Sequence, residues 1–224
     1  MTLAQAAFPD WAWLSNPRNH ERLLEQLVEH VQLTLVAVLI GFLIAAPLAV
    51  VAVRYRRLHP PLLGITGVLF TVPSLAMFMF LGIAYGEFFG FRAAVTGLVI
   101  YSLLILFRNT VAGLDSVPPE IREVGEALGH TRFQQLRKIE IPVALPVILA
   151  GIRVATVTTV GLTTITALIG WGGLGRTILT GFQRGTNLTI VLVGVVGVTL
   201  LAIALDLLLL LLQRQLLPWK RQDA

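Results

Sequence analysis

Four long apolar runs dominate the chain, each bounded by charged or turn-forming positions. Val31 to Val53 and Leu62 to Tyr85 hold no ionisable side chain other than the phenol of Tyr85, while Pro146 to Ile169 carries only Arg153 and Leu188 to Leu212 only Asp206. About 20 apolar helical residues cross the ~30 Å hydrocarbon core of a bilayer, so each run predicts a membrane span. A fifth run, Ala93 to Phe107, has 15 residues. At the helical rise it covers roughly 22 Å, and it crosses only by extending past Arg92 or Arg108. The pattern predicts an all-α integral membrane protein with about five transmembrane helices, at 31–53, 62–85, 93–107, 146–169 and 188–212. Pro47 and Pro73 are expected to kink the first and second spans.

The segment before the first run alternates charge and leucine, with Glu21, Arg22, Glu25 and Glu29 around Leu23, Leu24 and Leu27. Residues 1–30 therefore read as an extracytoplasmic or interfacial lead-in, with Trp11 and Trp13 at the interface and an amphipathic Asn19 to His30 lying on the membrane or extending the first span. No basic residue precedes Arg18, so the start does not read as a signal peptide. Composition agrees with a membrane protein: 56% of the 224 residues are hydrophobic and 13% charged, against about a quarter charged in soluble domains. The chain has no Cys, which removes thiolate chemistry and disulfides.

A net charge of +5 matters through its placement. With the N-terminus outside, cytoplasmic segments hold eleven Lys and Arg residues and external ones five, with Arg153 inside a span. The positive-inside rule selects that orientation and a cytoplasmic C-terminal tail, 218–224. Arg54, Arg56 and Arg57 read as topology determinants, and no nucleic-acid partner is expected.

The one long connection, 108–145, predicts two short helices. Pro118 and Pro119 suit a helix start, Glu120 and Glu123 complement its dipole, and Gly129 suits a stop. Ile121, Val124 and Leu128 share a face, the pattern of a docking helix or of one packed beneath the bundle. A second helix is expected through Phe133, Leu136 and Ile139 until Pro142 interrupts it, with Pro146 opening the fourth span.

The run Glu123-Val124-Gly125-Glu126-Ala127-Leu128-Gly129, then nine residues, then Ile139-Glu140-Ile141-Pro142 resembles the EAA loop of permease subunits of bacterial ABC importers. That pattern is E-A-A, three residues, G, nine residues, I-x-L-P; Val124, Gly125 and Ile141 depart from it, and the acid, the Gly and the Pro remain in frame. Thr71 to Leu75, Ile141 to Arg153 and Ala167 to Gly175 are similar to the osmoprotectant branch, which moves glycine betaine, choline, carnitine, proline betaine and related quaternary amines. The resemblance implies a type I importer permease fold in the bacterial cytoplasmic (inner) membrane. Under it the transmembrane permease domain is 31–217 and Pro118 to Gly129 is the coupling helix. Glu123, Val124, Gly125, Ala127, Gly129, Ile139 and Pro142 would serve contact with a separate ATPase, the short Gly125 and Ala127 allowing close approach. Implied partners are a second permease subunit, identical or homologous, two ATPase subunits binding ATP and Mg, an extracytoplasmic substrate-binding protein and the lipid membrane. The substrate route would form between two permeases. Other readings are a permease for another small amine or amino acid, and an ATP-independent secondary transporter or channel.

No enzyme chemistry is expected of the chain itself. Lys138 and Lys220 follow Arg137 and Trp219, so no P-loop exists, and no cofactor is expected here. Gly170, Gly172 and Gly175 fit G-x-G-x-x-G but follow a span rather than a strand, and predict a flexible or re-entrant mouth. The four His residues lack metal-ligand spacing, so no metal is expected. The fourth span is rich in Thr, the choice being helix packing or a polar path; Thr71, Ser74, Thr159 and Thr163 are the candidate path residues. Arg153 and Asp206, each roughly 10 Å from the cytoplasmic end of its span by the helical rise, are a candidate intramembrane ion pair. No aromatic cage for a quaternary ammonium is evident within the spans.

Overall fold

A computed structural model describes residues 8–86, 90–185 and 187–217. The C-terminal tail, Lys220, Arg221 and the start of the lead-in lie outside the described residues. The described chain is helical: α1 Trp11–Leu14, α2 Pro17–Arg54, α3 His59–Thr71, α4 Ser74–Ala84, α5 Phe91–Asp115, α6 Pro119–Ala127, α7 Arg132–Gln135, α8 Ile141–Thr163, α9 Gly175–Gln183 and α10 Leu188–Leu216. A π-helical turn, Leu136–Glu140, joins α7 to α8, and 3-10 turns cover Arg56–Leu58 and Ile165–Ile169.

Among the described residues four helical stretches are long and apolar enough to cross a membrane: α2, α5, 132–163 and α10. Each outruns its apolar run at one end at least, while the stretch 132–163 stops at Thr163 and a 3-10 turn covers Ile165–Ile169. The lead-in extends the first span: α2 starts at Pro17, which suits a first helical turn because its missing N–H needs no partner. Pro47 does not end it. α5 covers 25 residues, passing both Arg92 and Arg108, and so solves the short third run.

Two expectations are corrected. The run 62–85 is broken rather than gently kinked: α3 and α4 bend by 93° at the Val72–Pro73 break, and together they make a fifth span where the bent pair counts as one. Pro73 is extended, φ −57° and ψ 129°, and caps α4, while the residue before a proline is driven from the helical region, so the break falls at Val72. Pro142 does not interrupt a helix. It follows the π-helical turn at the second position of α8, and both Pro142 and Pro146 lie within one helical run, 132–163.

The chain divides into two compact units, and α2, α5, α8 and α10 contribute to both. One comprises 39–71, 100–155 and 206–224. Its core sets Ala45, Ala49 and Ala52 of α2 against Leu106, Phe107 and Val111 of α5 and Ala155 of α8. Small residues let these helices meet backbone to backbone, as apolar contacts in lipid require. Gly41 faces Ser102 and Gly151 faces Asn109, each leaving no room for a Cβ, and Gly113 faces Ala144 and Ile148 with space for one only if a neighbour gives by a few tenths of an ångström.

The other unit comprises 1–38, 72–99 and 156–205. Val160, Leu174 and Leu201 form its core with Leu23, Leu27 and Val31. The Asp10 carboxylate caps α1 at the Trp13 N–H (3.0 Å) and accepts from Asn187 Nδ2 (2.8 Å). The Trp13 N–H and then Asn187 hold the Asp10 carboxyl below its usual range, so this tie is present at neutral pH and loosens as pH falls through the lowered pKa.

Candidate functional site

The segment Pro118 to Glu140 is built as a small frame. Pro119 starts α6, Pro118 is extended at its cap, and Glu120 sits in the first turn. At the other end the His130 N–H reaches Gly125 O (3.2 Å) and the Gly129 N–H reaches Glu126 O (2.9 Å). This is the paired pattern that closes a helix on a left-handed residue, and Gly129 has φ +71°. Thr131 and Gln134 cap α7 reciprocally, the Thr131 N–H donating to Gln134 Oε1 (2.8 Å) and the Gln134 N–H to Thr131 Oγ1 (3.3 Å).

Arg122 ties α6 to its neighbours. Its Nη2 donates to Leu114 O at the end of α5 (2.7 Å), Gln135 Nε2 donates to Arg122 O (3.4 Å), and Glu140 lies 3.8 Å from Arg122 Nε. A hollow of about 520 Å³ is lined by Arg54, Arg122, Arg132, Glu126, Glu140 and Phe133 among others. Beside it Arg56 pairs with Asp115 through both carboxylate oxygens (2.8 and 3.0 Å); the bond from Asp115 holds the guanidinium protonated still more firmly. Both groups are solvent-reached, so the pair contributes little stability.

Of the EAA-like residues, Glu123, Val124, Ala127 and Gly129 are exposed and Gly125 is buried. Glu123 makes no hydrogen bond or ion pair among the described residues. Val124 is 58% exposed, Leu128 70% and Phe133 69%. The apolar stripe of the loop therefore stands open. Gly125 corrects the expectation of an outward close approach: it faces inward, where a Cβ would lie 2.6 Å from Ile139 Cδ1 and 3.6 Å from Gln135 Cγ. Ile139, half-buried in the π-helical turn, is its packing partner, and Pro142 follows as the chain enters α8. Because Ile139 Cδ1 is the far end of a rotatable side chain, Gly125→Ala should be tolerated, the gain in helix propensity of about 1 kcal/mol offsetting the contact. Gly125→Leu should dislodge α6 and open the loop to protease at least tenfold faster. Limited proteolysis at matched membrane levels checks both.

The hydroxyl candidates separate. Thr159 and Thr163 are buried at 2% and 0% exposure; the Thr163 hydroxyl donates to Thr159 O (2.8 Å) and meets the Thr34 hydroxyl at 3.5 Å. Both lie in the packing between helices of this chain. Thr71 is exposed at the end of α3, donating to Val68 O (2.7 Å), and Ser74 is half-buried at the start of α4, on either side of the break.

Arg153 and Asp206 meet in a bidentate pair, Nε to Oδ1 at 2.9 Å and Nη2 to Oδ2 at 2.8 Å. The glycine-rich segment is held rather than flexible. Gly172 and Gly173 donate backbone N–H groups to Glu29 Oε1 (3.1 and 3.0 Å), and Arg176 pairs with Glu29 Oε2. Gly173 has φ +48°, and a Cβ there would strike His30. Glu29 is not singled out by the sequence, where it is one of several charges in the amphipathic lead-in. Among the described residues no His, Asp or Glu group could hold a metal ion.

A family model described as "Binding-protein-dependent transport system inner membrane component" matches residues 37–222. The osmoprotectant import permease protein OsmW of Salmonella typhimurium is 44% identical over 195 residues, 85% of this chain and 89% of the relative. The glycine betaine/carnitine/choline transport system permease protein OpuCD of Bacillus subtilis is 36% identical over 205 residues, 92% and 89% of the two chains. Among solved structures, a chain of the inward-facing MetNI methionine ABC transporter superposes with TM-score 0.78 at 23% identity, covering 90% of this chain and 99% of its own. A chain of an amino acid ABC transporter superposes with TM-score 0.76 at 21% identity, covering 91% and 98%. At these identities the structural likeness is one of fold: the all-α fold is that of type I ABC importer permeases.

Proposed function

This chain belongs to the family of binding-protein-dependent transport system inner membrane components, and from that membership we propose that it is the permease subunit of an ATP-driven importer of osmoprotectant-type quaternary amines. The observation that carries the substrate class is the 44% identity to an osmoprotectant import permease across 85% of the chain. Support for coupling comes from the loop: a short helix fixed at its end by Gly129, tied inward by Arg122 and Gly125, and open outward at Glu123, Val124 and Leu128. An apolar face flanked by an unpaired carboxylate is suited to a groove on a soluble partner. ATP and Mg would be bound by two separate ATPase subunits, and a binding protein would deliver substrate from the other side. The route would run between this chain and a second permease, identical or homologous.

Uptake of labelled choline and glycine betaine by a strain lacking other importers tests the reading, with the chain expressed beside its ATPase and binding protein. Uptake dependent on this chain supports it; uptake of amino acids instead would overturn the substrate class.

The proposed orientation places the N-terminus outside and the coupling loop in the cytoplasm, as the distribution of Lys and Arg favours. The Cys-free chain makes the test direct. A single Cys at position 184 should be labelled by an impermeant thiol reagent in intact cells and one at position 134 only after permeabilisation. The reverse would invert the orientation.

A further inference from the structure

An open cleft of about 480 Å³ lies where the glycine-rich segment meets the first third of α2, lined by Leu24, Glu25, Val28, Glu29, Gln32 and Trp171. The fold makes the cleft by bringing Trp171 back onto α2 across 142 residues from Glu29.

The presentation of Trp171 is fixed from both sides. Its ring meets Phe91 at 5.3 Å and 70°. The two residues after it are clamped by their N–H groups on Glu29 Oε1, and neither can carry a side chain: a Cβ at Gly172 would strike Ala167 and one at Gly173 would strike His30 and Gln26 O. Glu29 is thereby spent, with two N–H donors on one oxygen and Arg176 on the other. Glu25, one turn earlier, is exposed and makes no hydrogen bond or ion pair among the described residues. The cleft thus offers an indole, one uncompensated carboxylate and an aliphatic wall from Leu24 and Val28.

That combination selects a particular cation. An ammonium with N–H groups needs acceptors on every side, and this wall has few. A quaternary ammonium has no N–H to satisfy; its methyl groups take aliphatic and indole contact and its diffuse charge is drawn to the ring face and the carboxylate. A single ring and an open side make the site weak, as a transfer point must be if substrate is to leave it again. We propose that Trp171 and Glu25 form a weak receiving site for the quaternary ammonium group of the transported substrate, on the face that the proposed orientation turns outward. This deepens the importer reading and rests on it for the identity of the substrate.

Two measurements separate the two claims. Choline uptake by the complete importer, at saturating binding protein, tests the reading; absence of choline and glycine betaine uptake by the unaltered importer sinks that reading. Independently, tetramethylammonium is titrated by calorimetry against the purified full-length permease with its ATPase subunits and without the binding protein, with 3,3-dimethyl-1-butanol as the uncharged isostere of choline. Tetramethylammonium should bind saturably and the isostere should not. Trp171→Leu should abolish the binding heat and raise the half-saturating choline concentration for uptake roughly tenfold, with Trp171→Phe keeping most of the affinity. Glu25→Gln, a change on an exposed helix face that does not endanger folding, should weaken tetramethylammonium binding about threefold, the size of an exposed charge contact. Equal response to the uncharged isostere, or unchanged tetramethylammonium binding and choline half-saturation in both Trp171→Leu and Glu25→Gln, would overturn the site while leaving the importer assignment standing.

Discussion

Gly129→Val is expected to abolish uptake while the protein still inserts and reaches wild-type levels in the membrane. Gly129 sits at φ +71°, where a side chain clashes with backbone; the penalty is roughly 1–2 kcal/mol for an ordinary residue and larger for a β-branched one. Relieving it means giving up the two bonds that end α6, from Gly129 N–H to Glu126 O and from His130 N–H to Gly125 O. The last turn of α6 then unwinds and Leu128 and Val124 lose their common face. Glu123→Lys should give the same loss by a different route. The side chain is exposed and makes no hydrogen bond or ion pair among the described residues, so reversal leaves the chain's own fold intact and alters only what meets it from outside. Purified complexes of each variant should lose substrate-stimulated ATP hydrolysis together with uptake. If either variant couples normally, α6 is not the element through which the ATPase acts.

The contrast between Gly125 and Gly129 shows what a linear pattern can and cannot convey. Gly129 was legible because a stop after an amphipathic stretch is a local demand: the backbone must turn there, and glycine is the residue that turns. Gly125 has the same residue type four positions earlier for a non-local reason, the approach of Ile139 across the loop, and nothing in the spacing separates an inward glycine from an outward one. The apolar runs were legible for the same local reason, since length and hydrophobicity suffice for a helix in lipid. Their ends were not, because α2 and α5 continue through charged residues whose side chains find partners or water. Pro73 and Pro142 make the point again: one breaks an apolar run and the other is absorbed, and the difference lies in the π-helical turn that precedes Pro142.

Helix contacts were partly legible. Gly41, Ala45 and Ala49 recur every four residues on α2, a spacing that places small side chains on one face, and Ala45 and Ala49 belong to the core of their unit. The clamp on the glycine-rich segment was not, because Glu29 and Gly172 are 143 residues apart and an acidic residue in an alternating lead-in resembles its neighbours Glu21 and Glu25. The hydroxyls of α8 carry two meanings in the sequence, and the burial of Thr159 and Thr163 is something their spacing does not convey.

Arg153→Met alone, or Asp206→Leu alone, should destabilise the protein by about 2–3 kcal/mol, and the double variant should recover most of that loss. Arg153 lies 12 residues into α8 and Asp206 10 residues before the end of α10, and both lie roughly 10 Å inside the cytoplasmic ends of their apolar runs at the standard rise. Water reaches such depth poorly, and an isolated charge near a helix centre costs about 2.5–3.5 kcal/mol on insertion scales. The bidentate geometry, 2.9 and 2.8 Å, satisfies both carboxylate oxygens and two guanidinium donors at once, which is the arrangement in which attraction can offset desolvation. Removing one partner strands the other. Removing both leaves two apolar side chains of similar length against lipid-like surroundings, where neither is penalised. A double-mutant cycle in a detergent unfolding assay should therefore show a coupling of about 1–3 kcal/mol, with the double variant more stable than the sum of the single effects. Additive losses would mean that the two charges act separately.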